Sequence, residues 1–144
     1  MTDLYRPLDD RAAAAPQILP ADMAAIRDAG FVGIVNNRPD GEESGQPAHA
    51  EIAAAAAAVG LACIHVPLGR EPLTDALIAK MRAALDEVGQ PAFLFCRSGT
   101  RSTTLWALAE ADAGRDADEL VRLAGAAGYD LAPLRDTLAA RAAG

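Results

Sequence analysis

The segment from Cys96 to Ser102 contains the residues of this chain that are best suited to chemistry. It reads Cys-Arg-Ser-Gly-Thr-Arg-Ser and directly follows an apolar run at residues 91–95. A loop between a strand and a helix can turn its backbone N–H groups inward, and the helix adds its positive end. Arginine side chains bind tetrahedral oxyanions in a bidentate manner. The pattern predicts an anion-binding loop around a cysteine whose thiolate is a nucleophile.

Each residue of this loop has an expected role. Cys96 and Arg101 are the predicted catalytic residues. The residues predicted to complete the anion-binding loop are Arg97, Ser98, Gly99, Thr100 and Ser102. Gly99 allows a tight turn, and Ser102 is expected to donate a hydrogen bond to the sulfur. The competing interpretation is a buried structural cysteine, which we assign to Cys63 in the middle of an apolar run.

A second polar segment follows the apolar run at residues 31–35. Its candidate contacts to the site are Asn36, Asn37, Arg38 and Asp40. In an open parallel sheet, binding sites collect at the carboxyl ends of the strands, so this loop and the Cys96 loop are expected to share one face. The alternative is an ordinary solvated turn, because Asn, Pro, Asp and Gly are common turn residues.

The elements that must position these loops alternate along the chain. Short apolar runs suited to buried strands occupy residues 31–35, 61–66 and 91–95, and weaker candidates for edge strands lie around residues 4–5 and 11–15. Helical patterns occupy residues 20–29, 47–59, 75–88, 101–113, 117–127 and 131–142. This order predicts an α/β fold, a three-layer sandwich with a mostly parallel central sheet.

Length and composition limit the classes of function. The chain has 144 residues and is expected to form one domain. Its formal net charge of −7 argues against nucleic-acid binding. The two cysteines and two histidines lack the spacing of a metal site, so neither a metal nor a cofactor is predicted. With no apolar run long enough for a membrane and no signal-peptide pattern, we expect a cytoplasmic protein with two free thiols.

Together, the two polar segments resemble those of the phosphatase-like domain of beta-lactamase hydrolase-like proteins. The resemblance rests on residues 36–42 with Gln46 and Pro47, and on residues 96–102 leading into residues 105–108. It covers about residues 3–112, and residues 113–144 form a helical tail without a motif of the family. Members of this family are described both as candidate phosphatases and as sulfur transferases.

The resemblance implies the fold of dual-specificity phosphatases, with Cys96 at the base of a phosphate-loop-like turn. It also implies a link to hydrogen sulfide or persulfide detoxification, because relatives are fused to metal-containing domains that oxidise persulfides. A persulfide dioxygenase is therefore an expected functional partner. The expected substrate is small and anionic, or a persulfide.

The chain departs from a true tyrosine phosphatase in three respects. The residue before Cys96 is Phe95 instead of the usual histidine. That class has the pattern C-x5-R, whereas Arg101 gives C-x4-R here, a six-residue loop like that of rhodanese-type sulfurtransferases. The loop that would carry the general-acid aspartate, residues 67–71, contains Glu71 as its only acid, with Asp40 and Asp75 as candidate substitutes. A missing proton donor weakens hydrolysis of phosphate esters, whereas a departing thiolate needs none.

Three functions remain open on these observations. The favoured prediction is a sulfurtransferase that carries persulfide sulfur on Cys96. The alternative is a cysteine phosphatase that acts through a phosphocysteine, in which Arg101 binds the phosphoryl oxygens. The third is a non-enzymatic redox sensor or anion-binding module, for which Cys63 is the only candidate resolving cysteine.

Overall fold

The computed structural model describes residues 4–144, in which strands and helices alternate between residues 12 and 112 and only helices follow. The strands are β1 (Arg6–Pro7), β2 (Ala12–Ala15), β3 (Gly33–Asn36), β4 (Ala62–His65) and β5 (Ala92–Phe95). The helices are α1 (Met23–Asp28), α2 (His49–Ala58), α3 (Asp75–Val88), α4 (Thr100–Asp112), α5 (Ala117–Ala126) and α6 (Arg135–Ala143). Short 3-10 turns precede α1 at Pro20–Asp22 and α6 at Ala132–Leu134. The predicted starts of the domain at residue 1 and of the resemblance near residue 3 lie outside the described residues.

The helix ends follow from local side-chain chemistry. Thr74 precedes α3, and its Oγ1 accepts a hydrogen bond from the backbone N–H of Leu77 at 3.1 Å. This cap satisfies one of the N–H groups that the first helical turn leaves without a partner. The predicted bounds of α3 are confirmed. The segment predicted as one helix at residues 20–29 instead combines a 3-10 turn with the short helix α1.

Within the described residues, the five strands form one sheet in the order β1-β2-β5-β3-β4. β1 runs antiparallel to β2, and the other pairs are parallel, which confirms the predicted mostly parallel sheet. The expectation of an edge strand at residues 11–15 is wrong, because β2 lies inside the sheet between β1 and β5. Its four residues are all alanine, which has weak strand propensity and gives no alternating pattern, yet all four are buried.

The register brings the carboxyl ends of the four parallel strands into one row. Ala15 pairs with Phe95, Phe95 pairs with Asn36, and Asn36 pairs with His65. The chain leaves the sheet at the same edge after each of these residues. The loops predicted to carry chemistry therefore begin side by side.

Helices cover both faces of the sheet, and each face has its own apolar core. One core lies between the sheet and helices α3 to α6, and it includes the buried Trp106. The other lies between the sheet and helices α1 and α2, and it includes the buried Ile52. Neighbouring residues of β5 alternate between them, because Leu94 belongs to the first core and Phe93 and Phe95 to the second. This confirms the predicted three-layer α/β sandwich. In the described part of the chain, no helix has the length and hydropathy that crossing a bilayer requires.

Candidate active site

Cys96 is the first residue beyond β5, and its side chain is fully buried. Its backbone N–H donates to the carbonyl oxygen of Ala15 at 3.3 Å, which ties the start of the loop to the end of β2. The N–H of Gly99 donates to Cys96 Sγ at 3.1 Å. Gly99 has a φ of +98°, a left-handed conformation that favours glycine, and α4 begins at the next residue. The sulfur thus has a backbone donor close to the positive end of a helix, which favours negative charge.

Hydroxyl groups hold the first turn of α4 onto the loop. Thr103 Oγ1 donates to the carbonyl oxygen of Gly99 at 2.8 Å, and Ser98 Oγ donates to Thr100 Oγ1 at 3.1 Å. The expected hydrogen bond from Ser102 to the sulfur is wrong. Ser102 Oγ donates instead to Asn37 Oδ1 at 2.8 Å, and a hydroxyl has a single hydrogen to donate. Ser102 therefore joins the Cys96 loop to the second predicted loop.

The guanidinium of Arg101 is paired with a carboxylate. Its two terminal nitrogens donate to the two carboxylate oxygens of Glu42 at 2.7 and 2.9 Å, and Nη1 also donates to the carbonyl oxygen of Leu68 at 2.7 Å. The hydrogen bonds with Glu42, and then the charge of Cys96, raise the pKa of Arg101. The same pairing holds the pKa of Glu42 at about 2. At neutral pH both groups are charged, so an anionic substrate must compete with Glu42 for Arg101.

Arg38 is the buried partner of two carboxylates. Its side chain is 3% exposed, and it donates to Glu42 Oε1 at 2.9 Å, to Glu43 Oε1 at 3.0 Å and to Gln17 Oε1 at 3.0 Å. Arg97 is mostly exposed, and its Nη2 lies 3.9 Å from Glu43 Oε2. These ionic contacts join the two predicted loops at one face of the sheet. We call the five charged residues the arginine–glutamate network: Arg38, Glu42, Glu43, Arg97 and Arg101.

The other candidates of the second loop support its backbone. Asn36 Oδ1 accepts from the backbone N–H of Arg38 at 2.9 Å, and Asn37 Nδ2 donates to the first carbonyl after β4 at 2.9 Å. Asp40 Oδ1 accepts from the backbone N–H of the first residue of α2 at 2.8 Å. The expectation that the two loops share a face is confirmed. Arg38 contacts carboxylates beside the Cys96 loop, whereas Asn36, Asn37 and Asp40 fix the shape of their own loop.

An open cleft of about 700 Å³ lies at this edge of the sheet. Four arginines and two glutamates contribute to its walls. The lining residues are Arg38, Pro39, Gly41, Glu42, Pro67, Gly69, Arg70, Glu71, Arg97 and Arg101. Cys96 is not one of them, because its side chain is fully buried. The cleft adjoins the Cys96 loop through Arg97 and Arg101, which belong to both.

The carboxylates around the cleft act as hydrogen-bond acceptors. Glu71 Oε1 accepts from the backbone N–H of Gly69 at 3.0 Å, and this bond lowers the pKa of Glu71. The hydrogen bond from Arg38 lowers the pKa of Glu43. Together with Glu42, these groups are charged at neutral pH, so none of the three is a ready proton donor.

Cys63 is distant from Cys96 in the sheet. The register pairs Cys63 with Ile34 of β3, and Ile34 with Phe93 of β5, which lies three residues before Cys96. Two strand spacings alone separate the cysteines by about 10 Å, which exceeds the reach of roughly 7 Å between the Cα atoms of a disulfide. Burial also raises the pKa of the Cys63 thiol to about 11. These facts argue against Cys63 as a resolving cysteine.

Two contacts of the site had little or no signal in the sequence. The pairing of Arg38 with Glu42 follows an i, i+4 spacing, but nothing in the sequence assigns Glu42 to Arg101 as well. The hydroxyl of Tyr129 donates to the carbonyl oxygen of Ser98 at 3.1 Å, across 31 positions of the chain. Tyr129 belongs to the helical tail, which the resemblance does not cover.

Comparisons with known proteins show the family of this chain. The family described as "Beta-lactamase hydrolase-like protein, phosphatase-like domain" matches residues 4–113. The beta-lactamase hydrolase-like protein of Agrobacterium fabrum is 37% identical over 108 residues, which cover 75% of this chain and 25% of that protein. The chain thus spans about a quarter of the length of this curated relative.

Solved structures show the same fold. A candidate phosphatase from Neisseria meningitidis is 30% identical, with a TM-score of 0.82 over 98% of this chain and 99% of that chain. Tk-PTP in its active form is 16% identical, with a TM-score of 0.72 over 99% of this chain and 97% of that chain. The fold is therefore like that of cysteine phosphatases, as the resemblance implied.

Proposed function

The chain belongs to the family of phosphatase-like domains of beta-lactamase hydrolase-like proteins, and from this premise we propose that it is a cysteine phosphatase. Cys96 is the nucleophile and forms a phosphocysteine intermediate. Arg101 binds oxygens of the phosphoryl group after it releases Glu42. The comparisons favour this alternative over the sulfur-transfer function that was preferred from the sequence.

One observation carries the proposal: the N–H of Gly99 lies 3.1 Å from Cys96 Sγ at the start of α4. A backbone donor and a helix N-terminus stabilise a thiolate, which is the reactive form of cysteine. The same features stabilise the negative charge of a phosphoryl group during transfer. A purely structural cysteine has no need of either feature.

The reaction has two steps. In the first, Cys96 Sγ attacks phosphorus, the P–S bond forms, and the P–O bond to the alcohol or phenol breaks with its electron pair on the departing oxygen. In the second, a water oxygen attacks phosphorus, and the P–S bond breaks with its electron pair returning to the sulfur. One proton of the water ends on the alcohol or phenol, and the products are that compound and inorganic phosphate.

The availability of a proton donor determines which esters react well. A departing alkoxide needs a proton donor, whereas a phenoxide leaves more readily without one. Glu42, Glu43 and Glu71 are charged acceptors, and Asp75 pairs with Arg141 at 2.9 Å. We therefore propose that aryl phosphates react much faster than alkyl phosphates.

The same observation supports sulfur transfer as a second candidate function. Cys96 would attack the sulfane sulfur of a donor, a new S–S bond would form, and the donor would leave as a thiolate or as sulfite. An acceptor thiolate or cyanide would then take the terminal sulfur and return the electron pair to Cys96. Neither step needs a general acid, and the six-residue loop from Cys96 to Arg101 suits an anion smaller than phosphate.

Both activities are tested in one preparation. Hydrolysis of p-nitrophenyl phosphate is measured beside transfer of sulfur from thiosulfate or glutathione persulfide to cyanide, and mass spectrometry checks for a covalent sulfur atom on Cys96. We expect hydrolysis of the aryl phosphate, and we expect Cys96→Ser to reduce it by several orders of magnitude while the circular dichroism spectrum is unchanged. Cys63→Ser is the matched control and should retain the activity.

Two results would decide against the phosphatase. The first is retention of more than about a tenth of the activity by Cys96→Ser, because loss of a covalent nucleophile costs far more. The second is brisk sulfur transfer, with a sulfur adduct on Cys96 and no phosphate release, which would establish the second candidate. A persulfide dioxygenase as partner and a cytoplasmic location both stay predictions.

A further inference from the structure

Tyr129 contacts the Cys96 loop from the helical tail, just after α5. Its side chain is 8% exposed, and its hydroxyl donates to the carbonyl oxygen of Ser98 at 3.1 Å. A Cβ atom placed on Gly99 would overlap the Tyr129 hydroxyl. The phenol therefore fills the space beside the glycine at which the loop turns into α4.

The contact reaches the same peptide unit that faces the sulfur. The carbonyl of Ser98 and the N–H of Gly99 belong to one peptide group, which is planar and trans, so its oxygen and hydrogen point in opposite directions. The Tyr129 hydroxyl donates a hydrogen bond to the oxygen of this peptide group, while the N–H of the same group donates to Cys96 Sγ. Rotation of the peptide would break both hydrogen bonds and turn a carbonyl oxygen toward the thiolate.

Tyr129 is itself held in place. Its backbone N–H donates to the carbonyl oxygen of Ala124 at 2.8 Å, and the guanidinium of Arg6 lies 6.0 Å from the centre of its ring. Arg6 also donates to the carbonyl oxygen of Ala127 at 3.2 Å. Burial raises the pKa of the Tyr129 phenol, so the hydroxyl keeps its hydrogen at neutral pH. The donor to Ser98 is thus both fixed and protonated.

We propose that Tyr129 is a positioning residue for the nucleophile. Its hydrogen bond to the Ser98 carbonyl fixes the peptide group in the orientation in which the N–H of Gly99 donates to Cys96 Sγ. This rests on the proposed function only in taking Cys96 as the nucleophile. The reactivity of the Cys96 sulfur can be measured by alkylation, without turnover of a substrate. The role of Tyr129 can therefore be tested even if the phosphatase assay fails.

The test compares Tyr129→Phe with wild-type protein. The substitution keeps the ring and removes only the hydroxyl. We expect the second-order rate of Cys96 alkylation by iodoacetamide at pH 7 to fall by about 5- to 30-fold, the factor that corresponds to 1–2 kcal/mol. The pH profile of alkylation should move to higher pH, and hydrogen exchange at the Gly99 amide should accelerate by a similar factor.

Tyr5→Phe is the matched control, because Tyr5 packs against Phe31 and Phe93 on the opposite face of the sheet. It should leave both readouts unchanged. A Tyr129→Phe variant with wild-type alkylation, wild-type pH profile and wild-type Gly99 exchange overturns the proposal. A general loosening of the fold would also speed alkylation of Cys63. If alkylation of Cys63 and hydrogen exchange at the Gly99 amide both accelerate by the same factor, the proposal is overturned as well.

Discussion

At the scale of single residues, the arginine–glutamate network places the negative charge of Glu42 beside Arg101, the arginine that we propose binds an anionic substrate. Three arginines and two glutamates give it one net positive charge, and a thiolate on Cys96 would cancel that charge. Glu42 is the central residue of the network, because it contacts both the buried Arg38 and Arg101 of the Cys96 loop. The network therefore stabilises the loops in the absence of substrate and sets a cost for anion binding.

Glu42→Gln tests the contribution of this network to stability. The pKa of Glu42 is about 2 in the folded protein, against an ordinary value of 4.5. Its charged form therefore stabilises the fold above pH 4.5, and this stabilisation is lost as the pH falls from 4.5 toward 2. We expect Glu42→Gln to lower the free energy of unfolding by about 1–2 kcal/mol at pH 7, after allowance for solvent screening.

Urea denaturation between pH 7 and pH 2.5 measures this effect. The wild-type protein should lose stability more steeply on acidification than the variant. Glu43→Gln is the matched control: it also removes a partner of Arg38, but its carboxylate is more exposed and does not contact Arg101. A Glu42→Gln variant with an unchanged slope between pH 4.5 and 2.5 would contradict the assignment.

At the scale of elements, the site depends on strands that end in one row. The sequence predicted β3, β4 and β5, because apolar runs followed by polar or turn residues mark buried parallel strands. It therefore also predicted that the loops after β3 and β5 would meet. It did not predict the interior position of β2, because four alanines carry no strand signal and only the helices packed on the sheet determine their burial.

Gly33→Ala tests how closely α3 must approach β3 for the parallel strands to end in one row. Gly33 begins β3, and a Cβ atom there would overlap the carbonyl oxygen and Cβ of Val88 at the end of α3. Either β3 or α3 must shift to make room. We expect a loss of about 1–3 kcal/mol in the free energy of unfolding, measured by urea denaturation.

Gly125→Ala is the matched control for this substitution. Gly125 lies within α5, and a Cβ atom there has no neighbour within 4 Å. Alanine has the better helix propensity, so this change should raise stability by up to about 1 kcal/mol. If the two substitutions change the free energy of unfolding equally, the close packing of α3 on β3 does not require glycine at position 33.

At the scale of the whole molecule, the helical tail is part of the core. The family matches residues 4–113, yet the helices beyond that range contain side chains buried in the same core as Trp106. The buried tail residues are Ala117, Leu120, Ala124, Ala127, Tyr129, Leu131 and Leu138. The Neisseria meningitidis relative aligns over 98% of the chain, so the tail has a counterpart there.

The sequence does not predict contacts between side chains that are far apart in the chain. The pattern predicted helices in the tail, because their apolar spacing and terminal glycines are local features. The contact of Tyr129 with Ser98, and that of Glu42 with Arg101, join positions 31 and 59 residues apart. No local period determines such a partner, since only the packing of α5 and the loops around the sheet brings these groups together.

Removal of residues 114–144 tests the role of the tail. The truncated chain would lose the fully buried Leu120 and Leu138 and would uncover the part of α4 against which α5 and α6 pack in the intact molecule. Exposure of large apolar side chains costs about 1.5–3 kcal/mol each, and a domain of this size has only about 5–15 kcal/mol of stability. We expect no cooperative thermal transition in the truncated chain, measured by circular dichroism.

Leu138→Ala provides a milder form of the same test without removing the tail. Leu138 lies in α6 and is fully buried, so its truncation should cost about 2–5 kcal/mol, with a cooperative transition at lower temperature. Ala140→Ser in the same helix is the control, because residue 140 is exposed and the change should alter stability by less than about 0.5 kcal/mol. If the truncated chain melts cooperatively and alkylation at Cys96 remains faster than at Cys63, the tail is an accessory. The loop must then be held by residues 4–113 alone, and the contact from Tyr129 would lose its proposed role.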